Sequence, residues 1–183
     1  MDQGYKIRNK DGIYYITFAV VEWVDASTRK EYVEIVIESL KYCQNEKGLI
    51  LYAWCLMSNH LHLIIAAREG YNLSDILRDF KKFTSGKIIK AIEENKQESR
   101  RNWMLWIFKS AGKRNKKNKN YQFWRQNNQP KELVTNHFMQ EKLEYIHNNP
   151  VQNGIVSKPE DYNYSSAQNY CGELGLIEVE FIE

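Results

Sequence analysis

Cysteine, proline and long apolar runs are all scarce in this 183-residue chain, and each scarcity excludes something. The three cysteines, Cys43, Cys55 and Cys171, are odd in number, scattered and without a CxxC pair. That excludes a disulfide framework and a zinc knuckle, and it points to reduced thiols in a cytoplasm. The opening stretch MDQGYKIRNKDG has no apolar segment of the kind a signal peptide carries. The most apolar run, LILYAWCLM, is too short to cross a bilayer, so no membrane is expected as a partner. No internal repeat is present, and only three prolines interrupt the chain. A chain of this length can bury a core of its own, and residues 1–183 read as one domain.

Charge is unevenly spread. Arg78 to Lys131 holds 16 Lys and Arg against 4 Asp and Glu, a local +12, while the other residues hold 10 against 19, or −9. A basic middle on an acidic chain is either a footprint for a phosphate backbone or a solvated helix and loop.

The pattern of apolar residues gives a coarse map. IYYITFAVVEW (Ile13 to Trp23) is β-branched and aromatic, and reads as a strand. Thr28 and Glu31 have the spacing of a capping box, and Val33, Val36, Ile37 and Leu40 then form a helical stripe that Gly48 can stop. LILYAWCLM and LHLIIAA, parted by SNH, predict a β-hairpin. A helix follows, capped by Asn72 or Ser74, with Leu73, Ile76, Leu77, Phe80 and Phe83 or Thr84 inward; Gly86 weakens or bends it. SAGKRNKKNKN reads as a basic loop and YQFWRQ as a short aromatic strand or turn. NHFMQEKLEYIHNN reads as a helix ending at Pro150, and GLIEVEFIE as a possible last strand. The order β-α-β-β-α-β-α resembles the split βαβ arrangement and predicts an α+β fold, a mainly antiparallel sheet with helices packed on one face.

MSNHLHLII (Met57 to Ile65) holds two of the four histidines. Side chains alternate along a strand, so His60 and His62 share a face while Leu61 points away. Such a pair either holds one ion between two imidazoles or stands half-exposed on a sheet face. An ion needs a third donor, for which His137, His147, Asn149 and many carboxylates are available. On the helix from Phe138, Met139, Leu143 and Ile146 make the core stripe, and Tyr145 lies about 120° from its centre. Asn149, four residues on, shares the face of Tyr145. His147 cannot share it closely, and reads with His137 as a surface or packing residue. Twelve tyrosines populate the chain, and packing is the ordinary role of each.

Taken together, MSNHLHLII, the basic helix, FWRQ, and YIHNNPVQNGIV followed by YNYSSAQNY resemble the REP-associated tyrosine transposases. These are single-tyrosine transposases of the HUH nuclease superfamily, in which two histidines flank a large apolar residue. The resemblance runs from about Tyr14 to Tyr170, with a short acidic and apolar tail beyond it. It implies a ferredoxin-like sheet with the histidines on a central strand. It also implies His60 and His62 as metal ligands, Tyr145 as nucleophile, and Asn149 in the place of the third ligand, which is Gln in some relatives.

The activity implied is cutting and rejoining of single-stranded DNA near hairpins, leaving a 5′-phosphotyrosine and a free 3′-OH. Mg²⁺ or Mn²⁺ suits the oxygen-rich substrate, although imidazole also accepts zinc. Relatives act as single chains or as homodimers, so both arrangements are open. Arg78, Lys81, Lys82, Lys87 and Lys90 on the helix, and Lys113, Arg114 and the lysines to Lys119 in the loop, are candidates for DNA phosphates. Trp103, Trp106, Phe123 and Trp124 either stack on bases or pack in the core. Arg125 in FWRQ is the best single candidate for a DNA contact. Two other readings stand beside this one. One is a domesticated hairpin-binding protein that does not cut, and the other a metal-dependent phosphodiesterase with no covalent intermediate.

Overall fold

The computed structural model describes residues 7–115, 120–126 and 128–182. Strand β1 is Tyr14–Ala19, helix α1 Lys30–Glu46, strands β2 and β3 Leu49–Leu56 and His60–Ala67, and helix α2 Leu73–Glu94. Helix α3, Arg101–Arg114, precedes the short strand β4, Lys131–Glu132. Helix α4 is Asn136–Gln152, and the four-residue α5 is Ala167–Tyr170. The sheet order is β2-β3-β1-β4 with every pairing antiparallel. That βαββαβ order is the ferredoxin-like one expected, with the histidine strand inside the sheet.

The two faces of the sheet carry different cores. Tyr14, Ile16 and Phe18 of β1 and Leu61, Leu63 and Ile65 of β3 point to one side, where they pack with residues of α1, α2 and α3. Ile64, Ala53 and Cys55 point to the other side and pack with Leu143 and Ile146 of α4. Helices therefore cover both faces, not one as the sequence suggested. β2 keeps its large residues on the first side only through a bulge between Leu51 and Ala53. The extra residue, Tyr52, resets the alternation so that Leu49, Leu51, Trp54 and Leu56 all reach the same core.

Several boundaries differ from the sequence reading, each for a physical reason. The strand expected to run to Trp23 stops at Ala19 and gives way to a 3-10 turn over Val21–Trp23. Thr28 and Glu31 form no capping box, and α1 begins without a side-chain cap. Both are held by tertiary partners instead: Thr28 Oγ1 accepts from Arg100 at 2.8 Å, and Glu31 accepts from Asn95. Asn72 does cap α2, accepting from the backbone N–H of Ser74 and Asp75, and the helix passes through Gly86 unbroken. YQFWRQ gives only one bridge, Val20 to Trp124, and the fourth strand lies at Lys131–Glu132. SAGKRNKKNKN starts as the last turn of α3, where Gly112 leaves room for the backbone of Asn120 and Tyr121; a Cβ there would lie 2.7–2.8 Å from it. Lys116, Lys117 and Lys119 lie outside the described residues. The tail makes no strand over its described residues, but Glu180 N–H donates to the Leu51 carbonyl at 2.9 Å and Ile177 is buried.

Pro150 does not end α4, which continues to Gln152. A proline so near the C-terminus costs one helical bond, the one Ile146 would have received. The turn beyond is closed by Asn153 N–H to Asn149 C=O at 3.1 Å and Ile155 N–H to Pro150 C=O at 2.9 Å. Asn149 is thereby held within the helix, on the face that carries Tyr145. Among the described residues no helix is long and apolar enough to cross a membrane.

Candidate active site

β3 begins with His60, and the neighbouring β1 places Ala19 opposite His60 and Thr17 opposite His62. His62 is only 4% exposed. Its Nδ1 lies 2.8 Å from Thr17 Oγ1 and 3.0 Å from Tyr15 Oη. His60 Nδ1 lies 2.7 Å from Asn59 Oδ1. An amide oxygen only accepts, so that contact puts the His60 proton on Nδ1 and leaves the ring's lone pair on Nε2. In both rings the δ nitrogen is anchored to the protein, and the ε nitrogen of His62 meets Asn149. The ring centroids are 4.6 Å apart.

α4 brings the remaining groups to that face. The Asn149 carboxamide, 5% exposed, has its Nδ2 3.4 Å from His62 Nε2, and its Oδ1 accepts from Asn153 Nδ2 at 3.3 Å. The Tyr145 ring stands edge-on to His62 at 5.4 Å and to Tyr15 at 6.3 Å, and is 40% exposed. The Lys142 ammonium lies 5.7 Å from the Tyr145 ring centre and 5.8 Å from that of Tyr15. The structure thus brings together His60, His62, Tyr145 and Asn149. It adds Tyr15, Thr17, Asn59 and Lys142, which the sequence did not single out. The alternation Tyr15–Thr17 on a strand was the available signal, but it needed the β1–β3 register to acquire meaning.

Burial disfavours the charged form of both imidazoles. It pushes His62 down to about 3, with His60 a secondary cause, and lowers His60 as well. His147, packed beneath with Nε2 2.8 Å from Ser166 Oγ, is pushed by burial down to about 4. The unfolded chain protonates both His62 and His147 near 6.5, and the folded chain excludes those protons. Stability is therefore unaffected above 6.5 and falls as pH drops toward 4, by about 1.4 kcal/mol per excluded proton per pH unit. Urea midpoints should fall between pH 7 and pH 5, and less steeply in His147→Asn. An equal slope in the variant would show that His147 is not one of the excluding groups.

The donor set fits a divalent ion. Among the described residues no three His, Cys, Asp or Glu side chains cluster for a metal, and beside the imidazoles lies a carboxamide, that of Asn149. The contacts on Nδ1 of each histidine hold the rings in place, as outer contacts would for a ligating imidazole.

The predicted DNA residues divide. Lys82, Lys87, Lys90, Lys113 and Arg125 are exposed. Arg78 is exposed but paired with Asp75 and Asp79, Lys90 lies 3.7 Å from Glu94, and Arg114 is paired with Glu22 at 3.0 Å. Lys81 is turned inward, donating to the Arg125 carbonyl at 2.9 Å and to Asn128 at 2.7 Å, and burial lowers it to about 8. Trp124 is a correction. It is 3% exposed, and its indole N–H donates to Thr84 Oγ1 at 2.9 Å, so its ring belongs to the core and offers no face to a base. Phe123 is buried likewise, whereas Trp103 and Trp106 are exposed on α3.

Residues 14–109 match the family described as "Transposase IS200 like". The matched span includes both histidines and ends before Tyr145. The solved structure of a REP-associated tyrosine transposase bound to a REP hairpin superposes with a TM-score of 0.64 at 16% identity, covering 100% of this chain and 94% of that one. A Deinococcus radiodurans R1 protein described as a transposase gives a TM-score of 0.46 at 18% identity, covering 81% of this chain and 95% of that one. No curated protein sequence matches. With just over half its length matched by the family, including the strand that carries His60 and His62, the chain belongs to the IS200-like transposases.

Proposed function

We propose that this chain cuts and rejoins single-stranded DNA beside hairpins through a 5′-phosphotyrosine on Tyr145, aided by a divalent ion held by His60, His62 and Asn149. One observation carries the reading: two imidazoles with their δ nitrogens anchored converge with a buried carboxamide and a half-exposed phenol on one face of the sheet. Mg²⁺ or Mn²⁺, when bound, supplies Lewis-acid polarisation of the scissile phosphate. The Tyr145 oxygen attacks phosphorus, the bond from phosphorus to the 3′-oxygen breaks, the phenolic proton passes to solvent, and the leaving oxygen takes one up. Lys142 places positive charge beside the phenol, 5.7 Å from its ring centre. The phosphodiester energy is kept in the tyrosyl ester, so a 3′-OH can reverse the step without ATP.

The groove along α2, about 930 Å³ and lined by Arg78, Lys82, Lys90 and Gln122, suits a phosphate backbone. A hairpin bound to the REP-associated transposase of the same fold supports a hairpin as substrate here. Tyr145 reaches the histidines of its own chain, which supports a site completed within one protomer of a monomer or homodimer. Incubation with a labelled hairpin and Mn²⁺ should give a DNA adduct that survives denaturation and maps to the Tyr145 peptide. Chelator-resistant binding without cleavage under any divalent metal would instead assign a non-cutting hairpin binder. Hydrolysed product without an adduct would assign a phosphodiesterase.

A further inference from the structure

Trp23 lies beside this site, and nothing in the proposed chemistry uses it. It follows β1 in the 3-10 turn, and it and Glu22 have φ of 53° and 52°. Two successive non-glycine residues in the left-handed region are uncommon, and such strain persists only where surrounding structure holds it. Here Trp23 N–H donates to the Val20 carbonyl at 3.1 Å, Val21 N–H to the Phe123 carbonyl at 2.8 Å, and Arg125 N–H to the Ala19 carbonyl at 2.7 Å. The result is an indole lifted out of the core, 52% exposed.

Its surroundings suit a base. The Arg125 guanidinium lies over the ring at 5.4 Å. A polar recess of about 550 Å³ opens beside it, lined by Trp23, Arg114, Gln122, Arg125 and Gln126. Glu22, also at the recess, is neutralised by Arg114. The platform is tied to the catalytic face by Asn59, whose Oδ1 accepts from His60 Nδ1 at 2.7 Å while its Nδ2 donates to the Trp23 carbonyl at 3.4 Å. The Trp23 and His60 rings are 6.1 Å apart, edge to face.

We infer that Trp23 and Arg125 form a subsite for one unpaired nucleobase, in the single-stranded segment within a nucleotide or two of the scissile phosphate. The indole stacks on the base, and the glutamine and arginine side chains of the recess meet its polar edge. This rests on the proposed function, since it takes His60 as the place where the scissile phosphate sits. Stacking is tolerant of base identity, and the recess amides supply whatever preference there is.

The test is binding in chelator, so that it does not depend on cleavage. The probes are a labelled DNA hairpin with a randomised single-stranded tail and the same hairpin blunt-ended. Trp23→Ala should weaken the tailed probe about ten- to hundredfold and leave the blunt probe unchanged, and Trp23→Phe should keep most of the affinity. An abasic nucleotide at one tail position should cost the wild type the same factor and Trp23→Ala nothing further. Unchanged affinity of Trp23→Ala for the tailed probe, or equal losses on both probes, overturns the subsite. If the tailed probe behaves as expected and no Mn²⁺-dependent adduct forms, the cleavage reading fails, and Trp23 and Arg125 stand as a base-binding subsite without a scissile phosphate beside it. A wild-type protein that binds neither probe overturns both.

Discussion

Tyr145→Phe is expected to abolish the covalent DNA adduct while leaving the protein as stable as the wild type and its hairpin affinity unchanged. The argument turns on what the tyrosine contributes to packing. Its ring is edge-on to His62 and Tyr15, and Lys142 sits over it. A phenylalanine ring retains those contacts, so the folded state loses one oxygen at a partly exposed position, and such changes are usually within ±0.5 kcal/mol. The proposed reaction, in contrast, would lose its nucleophile entirely. Tyr15, the other phenol at the site, is no substitute. Burial pushes it up to about 12, and its oxygen is engaged with Thr17 and His62. Denaturing gels after incubation with labelled hairpin and Mn²⁺ read the result directly. An adduct in Tyr145→Phe at wild-type yield would reassign the nucleophile, and Tyr15→Phe would then be the next variant to assay.

How much of this arrangement was legible beforehand depends on the range of each interaction. The hairpin of β2 and β3, the α2 stripe and its Asn72 cap were legible because strand alternation and helical spacing are local. The pairing of Tyr145 with Asn149 came from helical period alone. That they face His60 and His62 required the order β2-β3-β1-β4 and α4 on the second face. The family resemblance supplied that face-to-face relation; periodicity could not. Trp124 illustrates the opposite failure. FWRQ in a basic stretch suggests a base-stacking aromatic, but Phe123 and Trp124 are drawn into the core by Phe18 and Phe108. Trp23 takes the exposed place because a strained turn, invisible in the sequence, holds it there. Lys81 likewise carries its charge inward to cap the Arg125 segment, a role that a count of lysines hides.

His60→Ala should slow strand cleavage by about a thousandfold in saturating Mn²⁺ and change stability little, whereas His62→Ala should lose both. The two histidines look equivalent in HLH, but their settings differ. His60 is half-buried, and its Nδ1 partner Asn59 keeps a bond to the Trp23 carbonyl when the imidazole is removed. His62 is buried, and its loss takes the Nδ1 partner from Thr17 and Tyr15, which keep only their 3.0 Å bond to each other. Losing those hydrogen bonds costs about 0.5–1.5 kcal/mol each, to which the vacated volume adds. On the proposed ligand set, an ion would lose one of three donors in either variant. Lewis-acid stabilisation of a transferring phosphate is worth several kcal/mol, and each ~1.4 kcal/mol is tenfold in rate. Added imidazole should restore part of the rate to His60→Ala, because the opening left at the strand end faces solvent, and should do less for His62→Ala. Cleavage by His60→Ala at the wild-type rate, with urea midpoints matched, would remove His60 from the ion's ligands and leave the Trp23 platform without its anchor to the scissile phosphate.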